Sequence, residues 1–189
     1  WPGGAADPET GIMYIFSKSD VGRMSMSNRP DRSDMDYINL QTRNAPPLRV
    51  DGLPLIKPPY GQIVALDLNE GEILWDAVHG ETPDYIRNHP ALAGIDIART
   101  GQAGRVGLLA TKTMVIAGDG GSYTNADGEQ EALLRAYDKL TGEQLGSLPM
   151  PAQQTGSPMT YAINGVQYLA VSISGGDVAG RLRVYSYEP

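Results

Sequence analysis

Gly61-Gln-Ile-Val-Ala65-Leu-Asp67-Leu-Asn-Glu-Gly71-Glu-Ile-Leu-Trp75 and Leu133-Leu-Arg-Ala136-Tyr-Asp138-Lys-Leu-Thr-Gly142-Glu-Gln-Leu145 carry one phrase, Ala-x-Asp-x-x-x-Gly, at an offset of 71 residues. The phrase reads as a hairpin. β-Branched and apolar residues in 63–67 favour a strand, Asp67 can bond back onto the turn backbone, and Gly71 supplies the positive φ that the turn needs. Residues 73–75 then return as the partner strand. A hairpin repeated along the chain points to units stacked side by side, each unable to bury its apolar face alone.

Two further hairpins are read with turns of their own, over 4–16 and 158–173. In the second, Asn164-Gly165 lies between apolar strands and is the preferred type I′ pair. Another hairpin spans 106–118, turning near Thr111 to Thr113, and a last single strand covers 181–187. Paired in order, these strands make two four-stranded units and a third that lacks one strand. That is the arithmetic of a β-propeller whose last blade takes its outer strand from the other end of a chain. The expected fold is all-β, about two and three-quarter antiparallel blades of a partial β-propeller. It divides into a blade over 1–77 with a long loop 17–60, a connector 78–105, a blade over 106–150 and an incomplete last blade over 151–189. The best helical candidate, 82–93, is interrupted by Pro83 and Pro90.

Composition agrees with an extracytoplasmic all-β protein. There are 23 Gly and 14 Pro in 189 residues, the punctuation of many short strands, and 41% hydrophobic residues can fill a core. Without Cys there are no disulfides and no zinc–thiolate sites, which leaves the redox compartment open. A net charge of −7 argues against a nucleic-acid partner, since the sequence shows no basic stripe to displace counterions from phosphate. No apolar run approaches the roughly 20 residues of a membrane-spanning helix. The chain begins at Trp1-Pro-Gly-Gly inside what reads as a first strand and stops just after another, so the expectation is the C-terminal part of a longer protein. Alone, such a piece would expose sheet edges and an apolar blade face.

The run Trp1 to Tyr14, the run Lys57-Pro-Pro-Tyr-Gly61 leading to Asp67 and Trp75, and the run Gly156-Ser-Pro-Met-Thr-Tyr161 through Asn164-Gly-Val-Gln-Tyr168 to Gly176 together resemble the C-terminal blades of quinoprotein dehydrogenases. These are eight-bladed propellers dependent on pyrroloquinoline quinone (PQQ), and the likeness is to the glucose dehydrogenase branch. The resemblance implies that Trp75 is a docking residue stacked between peptide planes of adjacent blades, with Asp67, Gly71, Asp138 and Gly142 forming the turns that it docks on. The second copy departs from the pattern, with Gly146 where Trp is expected, so that docking contact should be missing.

For chemistry, the resemblance implies hydride transfer from a sugar or alcohol to the quinone, assisted by a carboxylate base and a Ca²⁺ that polarises the cofactor. In the family the base, the metal ligands and the Trp stacked on the quinone belong to earlier blades. No catalytic residue and no metal ligand is therefore expected in this stretch, which should be inactive by itself. Implied partners are the small-molecule sugar or alcohol, a quinone or cytochrome electron acceptor and the remaining blades. The implied location is the periplasm, with or without a membrane anchor ahead of residue 1. Two places are matched to the site. Trp1 corresponds to a Trp whose strand approaches the quinone, or only packs on an innermost strand. Gly175 and Gly176 match a Gly-Gly-His stretch beside the cofactor, with Asp177 on the substrate side where the glucose dehydrogenases have His. Its other reading is a Gly-rich turn with a solvated Asp.

Other patterns point less far. The stretch 119–129 has the flavour of a calcium loop, but with Asp127-Gly128 as positions 5 and 6, Tyr123 and Leu134 fall at ligand positions, so it reads as a strand connection. Gly118 to Gly121 lacks the Lys and helix of a phosphate cradle. His79 and His89, near Glu81 and Asp84, read as a polar loop cluster rather than a metal site. The long stretches 17–60 and 78–105 are either selectivity loops or mobile polar connections. An alternative of another class is a non-catalytic propeller scaffold of the cell envelope, of the outer-membrane assembly lipoprotein type, because fold alone does not settle activity.

Overall fold

The computed structural model of the protein describes residues 3–22, 24–39 and 48–187. Two compact units result, residues 20–57 and the remainder. The larger one holds three antiparallel sheets. The first runs β1 (Ala5–Asp7), β2 (Ile12–Lys18), and, after the smaller unit, β7 (Gly61–Asp67) and β8 (Glu72–Val78), paired in chain order. The smaller unit contributes two short ribbons, β3 (Met26–Ser27) with β4 (Ile38–Asn39), and β5 (Arg49–Val50) with β6 (Leu53–Pro54). The chain leaves the first sheet at Ser19 and returns at Tyr60, where Ser19 N donates to Tyr60 O at 3.1 Å.

The second sheet places β9 (Leu108–Ala110), β10 (Met114–Gly118), β12 (Gln130–Asp138) and β13 (Gln144–Met150) side by side, with the short β11 (Tyr123–Thr124) on the first residues of β12. The third joins β14 (Met159–Ile163), β15 (Val166–Gly175) and β16 (Val178–Tyr187). The expected last strand is thus three residues longer, and it forms a hairpin with β15 through the glycine turn. Asn164 and Gly165 adopt φ of 51° and 82°, the two positive values of a type I′ turn.

The strand period explains the layering. In β10 and β12 the odd residues Val115, Ala117 and Tyr137 join Ile12, Tyr14, Ile63, Ala65 and Trp75 in a core between the first and second sheets. The even residues Ile116, Ala132 and Leu134 join Met150, Val171 and Ile173 between the second and third. Successive side chains point to opposite faces, so the middle sheet is covered on both, which is why Met114–Gly118 is an almost unbroken apolar run. Gln154, 3% exposed, ties the third sheet to the second: its amide donates to Gly107 O at 2.8 Å and its carbonyl accepts from Gly118 N.

Each sheet is a meander; in the first two, one end carries the tight turns and the other the long connections, while the third is closed by tight turns at both ends. The 78–105 segment contains one helical turn, α1 (Asp84–Arg87), and a 3₁₀ turn at 90–92. Pro83 stands just before α1 and Pro90 opens the 3₁₀ turn, so the prolines that interrupt a longer helix mark where two short turns begin. Of the connections read as loops from the sequence, 119–129 also contains strand β11.

Candidate functional site

At the turn end the repeated phrase occurs three times, not twice. Asp7, Asp67 and Asp138 each accept from backbone N–H groups two or three residues on, and the carbonyls of the same residues accept from Gly11, Gly71 and Gly142. The three glycines have φ of 73°, 75° and 74°. The hairpin at 4–16 was expected to have a different turn; Ala5-Ala6-Asp7-Pro8-Glu9-Thr10-Gly11 holds the same phrase, masked by Pro8.

The turns lock the first two sheets together. Trp75 Nε1 donates to Lys139 O at 3.1 Å, and Tyr14 OH donates to the same oxygen at 3.2 Å. The indole lies against Gly142, where an added Cβ would stand 2.6 Å from Cε3. Lys139 Nζ meets Asp7 Oδ2 at 2.8 Å. That bond, with those from Thr10 and Glu9 N, holds the Asp7 carboxyl down at about 2. Ala65 pairs with Trp75 and Ala136 with Gly146, so Gly146 occupies the register position of the indole and has open space in its place.

At the connection end, Gly175 and Gly176 form the tip between β15 and β16, with φ of 146° and 56°, and Asp177 is exposed there. Trp1 lies outside the described residues. A cavity of about 630 Å³ opens where β2 ends and the chain approaches β9. Ile15, Phe16 and Val106 supply apolar wall, and Lys18 and Arg105 bring two cations. Arg105 is exposed and forms no hydrogen bond or ion pair with any described residue.

Behind Phe16 lies a buried polar cluster. The ring of Phe16 meets His79 edge-on at 5.7 Å. His79 is fully buried; its Nε2 lies 3.1 Å from Gly118 O, which can only accept, so Nε2 carries the hydrogen and Nδ1 accepts from Tyr137 OH at 2.8 Å. Burial brings its pKa down to about 4, so the ring is neutral at pH 7. Beside it Arg135 donates to both oxygens of Asp119, at 2.7 and 3.1 Å, and to Glu81 at 2.9 Å. Burial opposes the guanidinium charge, yet the Asp119 bonds overcome it and the pKa rises. Asp119 also accepts from Leu133 N.

His79 therefore belongs to packing between sheets, Glu81 is a partly exposed partner of Arg135, and Asp119, in the connection after β10, is a buried ion-pair partner. His89 Nδ1 accepts from Ala91 N at the 3₁₀ turn, and Asp84 accepts from Thr124 N and Oγ1. Among the described residues no group of three or more His, Asp or Glu side chains is placed to hold a metal ion. Sequence reasoning passed over Lys18, Arg105 and Arg135, and read Asp119 only as part of a strand connection. For Arg135 there was a signal: a lone charge inside Leu133-Leu134-Arg135-Ala136 must find a buried partner.

The comparisons with known proteins agree with this architecture. Residues 1–169 match the family model described as PQQ, glucose/ethanol/alcohol dehydrogenase, beta-propeller domain. Quinoprotein glucose dehydrogenase of Escherichia coli (strain K12) is 32% identical over 126 residues, and quinoprotein glucose dehydrogenase A of Acinetobacter calcoaceticus is 28% identical over 124. A probable quinate dehydrogenase (quinone) of Xanthomonas campestris pv. juglandis is 31% identical over 130 residues. In each case 66% of this chain is aligned, and the chain spans only 14–15% of the relative's length. The solved quinohemoprotein alcohol dehydrogenase of Comamonas testosteroni superposes with a TM-score of 0.60 over 98% of this chain and 25% of its own, at 18% identity, a likeness of fold. With successive four-stranded meanders docked through repeated turns and a family match over most of its length, the chain belongs to the β-propeller domain family of PQQ-dependent glucose, ethanol and alcohol dehydrogenases.

Proposed function

We propose that the protein carrying this chain oxidises a CH–OH group of a sugar or alcohol with PQQ as hydride acceptor, and that the cavity bounded by Lys18 and Arg105 faces the cofactor. The observation that carries the reading is this cavity, at the end of the sheets opposite the tight turns, in a chain of this family. The quinone is a planar tricyclic tricarboxylate, and a space of about 630 Å³ with aromatic and aliphatic walls and two cations suits its size and charge.

When bound, the quinone supplies the two-electron oxidising chemistry, which no side chain can provide. The residues of this chain bind and orient. Lys18 and Arg105 offer charge to carboxylates, while Ile15, Phe16 and Val106 exclude water from one wall. His79 and Tyr137, buried behind Phe16, hold that wall in place without bringing a charge to it. Gly175, Gly176 and Asp177 sit at the same end, which supports a place for Asp177 near the substrate rather than in the core. Ca²⁺, its ligands and the carboxylate base belong, on this reading, to the rest of the propeller. The relatives whose names are given above act on glucose and quinate, so both a neutral aldose and a hydroxylated acid are candidate substrates. The acceptor would be a quinone or cytochrome, and the setting the periplasm.

The test is dye-linked turnover by the full-length protein, loaded with PQQ and Ca²⁺, against a panel of aldoses, alcohols and quinate, with cofactor-free protein as control. Turnover that needs the quinone supports the reading and names the substrate class. Quinone-independent inactivity on every substrate defeats it and leaves a propeller scaffold.

A further inference from the structure

Three of the seven methionines, Met24, Met26 and Met35, fall in the smaller unit, which the chain forms between leaving the first sheet and returning to it. Methionine is a residue of interiors, yet these three are 81%, 72% and 65% exposed. Met26 opens β3, and Met35 stands just ahead of β4. The polar residues around them bond to one another and leave the thioethers uncovered. Arg29 Nε and Nη2 donate to the Asp31 carboxylate at 2.9 and 2.6 Å, Asn28 Nδ2 donates to Asp36 O at 2.7 Å, and Met35 N donates to Ser33 Oγ at 3.1 Å. The last two bonds fix the backbone at 35 and 36 with the Met35 side chain in solvent.

The methionines of the sheets are placed otherwise. Met150, 1% exposed, packs with Leu134, Val171 and Ile173 between the second and third sheets, and a Cβ added at Gly118 would stand 2.9 Å from its Cε. Met159 on β14 lies between the extremes, at 52%. A thioether sulfur carries a lone pair that attacks electrophilic oxygen, and the sulfoxide that results is polar and must be hydrated or bonded. At Met150 the new oxygen would enter an apolar core, whereas at Met24, Met26 and Met35 it enters water. Access for the oxidant and the cost of the product therefore favour the same three sulfurs.

We infer that Met24, Met26 and Met35 form a reversible oxidative modification site, at which a hydroperoxide converts thioether to sulfoxide without disturbing the sheets. The sulfur lone pair forms the S–O bond to one oxygen of hydrogen peroxide as the O–O bond breaks. The other oxygen takes both hydrogens and leaves as water, so sulfur is oxidised by two electrons and the peroxide is reduced by two. Flexible apolar side chains become polar, chiral ones, and methionine sulfoxide reductases restore them. The inference rests on no assignment of substrate or cofactor.

The experiment treats quinone-free full-length protein with dilute hydrogen peroxide and follows each methionine by peptide mass mapping of quenched samples. Met24, Met26 and Met35 are expected to gain oxygen about tenfold or more faster than Met150, with Met159 between them and the melting temperature unchanged once the three are converted. The two epimer-specific methionine sulfoxide reductases, with a dithiol, should return all three to their starting mass. A variant carrying Met24→Leu, Met26→Leu and Met35→Leu should fold as the wild type does and lose the fast phase of peroxide consumption. Oxidation of Met150 as fast as the three, protection of the three in the full-length protein, a melting temperature that falls with their conversion, or resistance to the reductases would each overturn the inference. A triple variant that keeps the fast phase overturns it equally.

Discussion

The indole of Trp75 in one sheet lies on Gly142 in the next, with no room for a side chain between them: a Cβ at 142 would stand 2.6 Å from Cε3. The glycine is doubly required, because its φ of 74° is also one that L residues rarely adopt. Gly142→Ala is expected to cost about 1–3 kcal/mol. Trp75→Ala, which empties a buried aromatic position and strands Lys139 O with one donor fewer, is expected to cost about 3–5 kcal/mol. Urea unfolding of both single variants and the double variant checks this. The two costs should combine to clearly less than their sum, and full additivity would mean the pair does not couple the sheets.

Lys139 and Asp7 form the second link between the same two turns. Lys139→Met removes it and leaves Asp7 with its Thr10 and Glu9 bonds. The Asp7 pKa is depressed in the folded protein, so its contribution is present above the usual carboxylate value of 3.8 and disappears as pH falls toward about 2. The stability gap between wild type and Lys139→Met is therefore expected to be open at pH 5 and to close at the acid end, and a gap constant with pH contradicts the assignment.

His79 titrates in the opposite sense from a paired histidine. Its folded pKa lies at about 4 against an ordinary 6.5, so the unfolded chain takes up a proton in this interval that the folded protein refuses. The neutral ring costs nothing above pH 6.5, and stability falls between pH 6.5 and 4 by an amount on the order of 3 kcal/mol. His79→Gln should lack this decline. Melting temperatures of the two proteins across pH 4–8 measure it, and parallel profiles would exclude His79 as the cause.

Arg135 and Asp119 are buried together, and each is costly without the other. Arg135→Met leaves a buried carboxylate and is expected to destabilise by about 3–5 kcal/mol, whereas Asp119→Leu with Arg135→Met should recover part of that loss. Equilibrium unfolding of both variants gives the answer; a double variant less stable than Arg135→Met would show that Asp119 is held by its backbone bonds and not by the ion pair.

The hairpin arithmetic was legible because turn chemistry is local. Asp67, Gly71, Asp138 and Gly142 announce their turns within five residues, and Asn164-Gly165 does so within two. The third copy at Asp7 to Gly11 was hidden by Pro8, which changes the look of the turn but not its hydrogen bonds. The pairing of β15 with β16 was harder, because Gly175-Gly176-Asp177 reads equally as a ligand loop. What the chain could not reveal by itself was which residues meet across sheets. Lys18 and Arg105 are 87 positions apart and share a cavity only because β2 and the approach to β9 lie in adjacent sheets. Asp119 does lie in the connection after β10, and its burial went unread because its partner, Arg135, is 16 positions away on β12. Pro83 and Pro90 correctly argued against a long helix, but short turns beside prolines fall below what periodicity can resolve.

The central claim is that the cavity at Lys18 and Arg105 faces the quinone, and equilibrium titration of full-length protein with PQQ, followed by absorbance, tests it most directly. The account predicts saturable binding that Lys18→Ala and Arg105→Ala each weaken by about tenfold, while Arg183→Gln leaves it unchanged. Binding indifferent to both cavity substitutions, or no quinone binding at all, would contradict it.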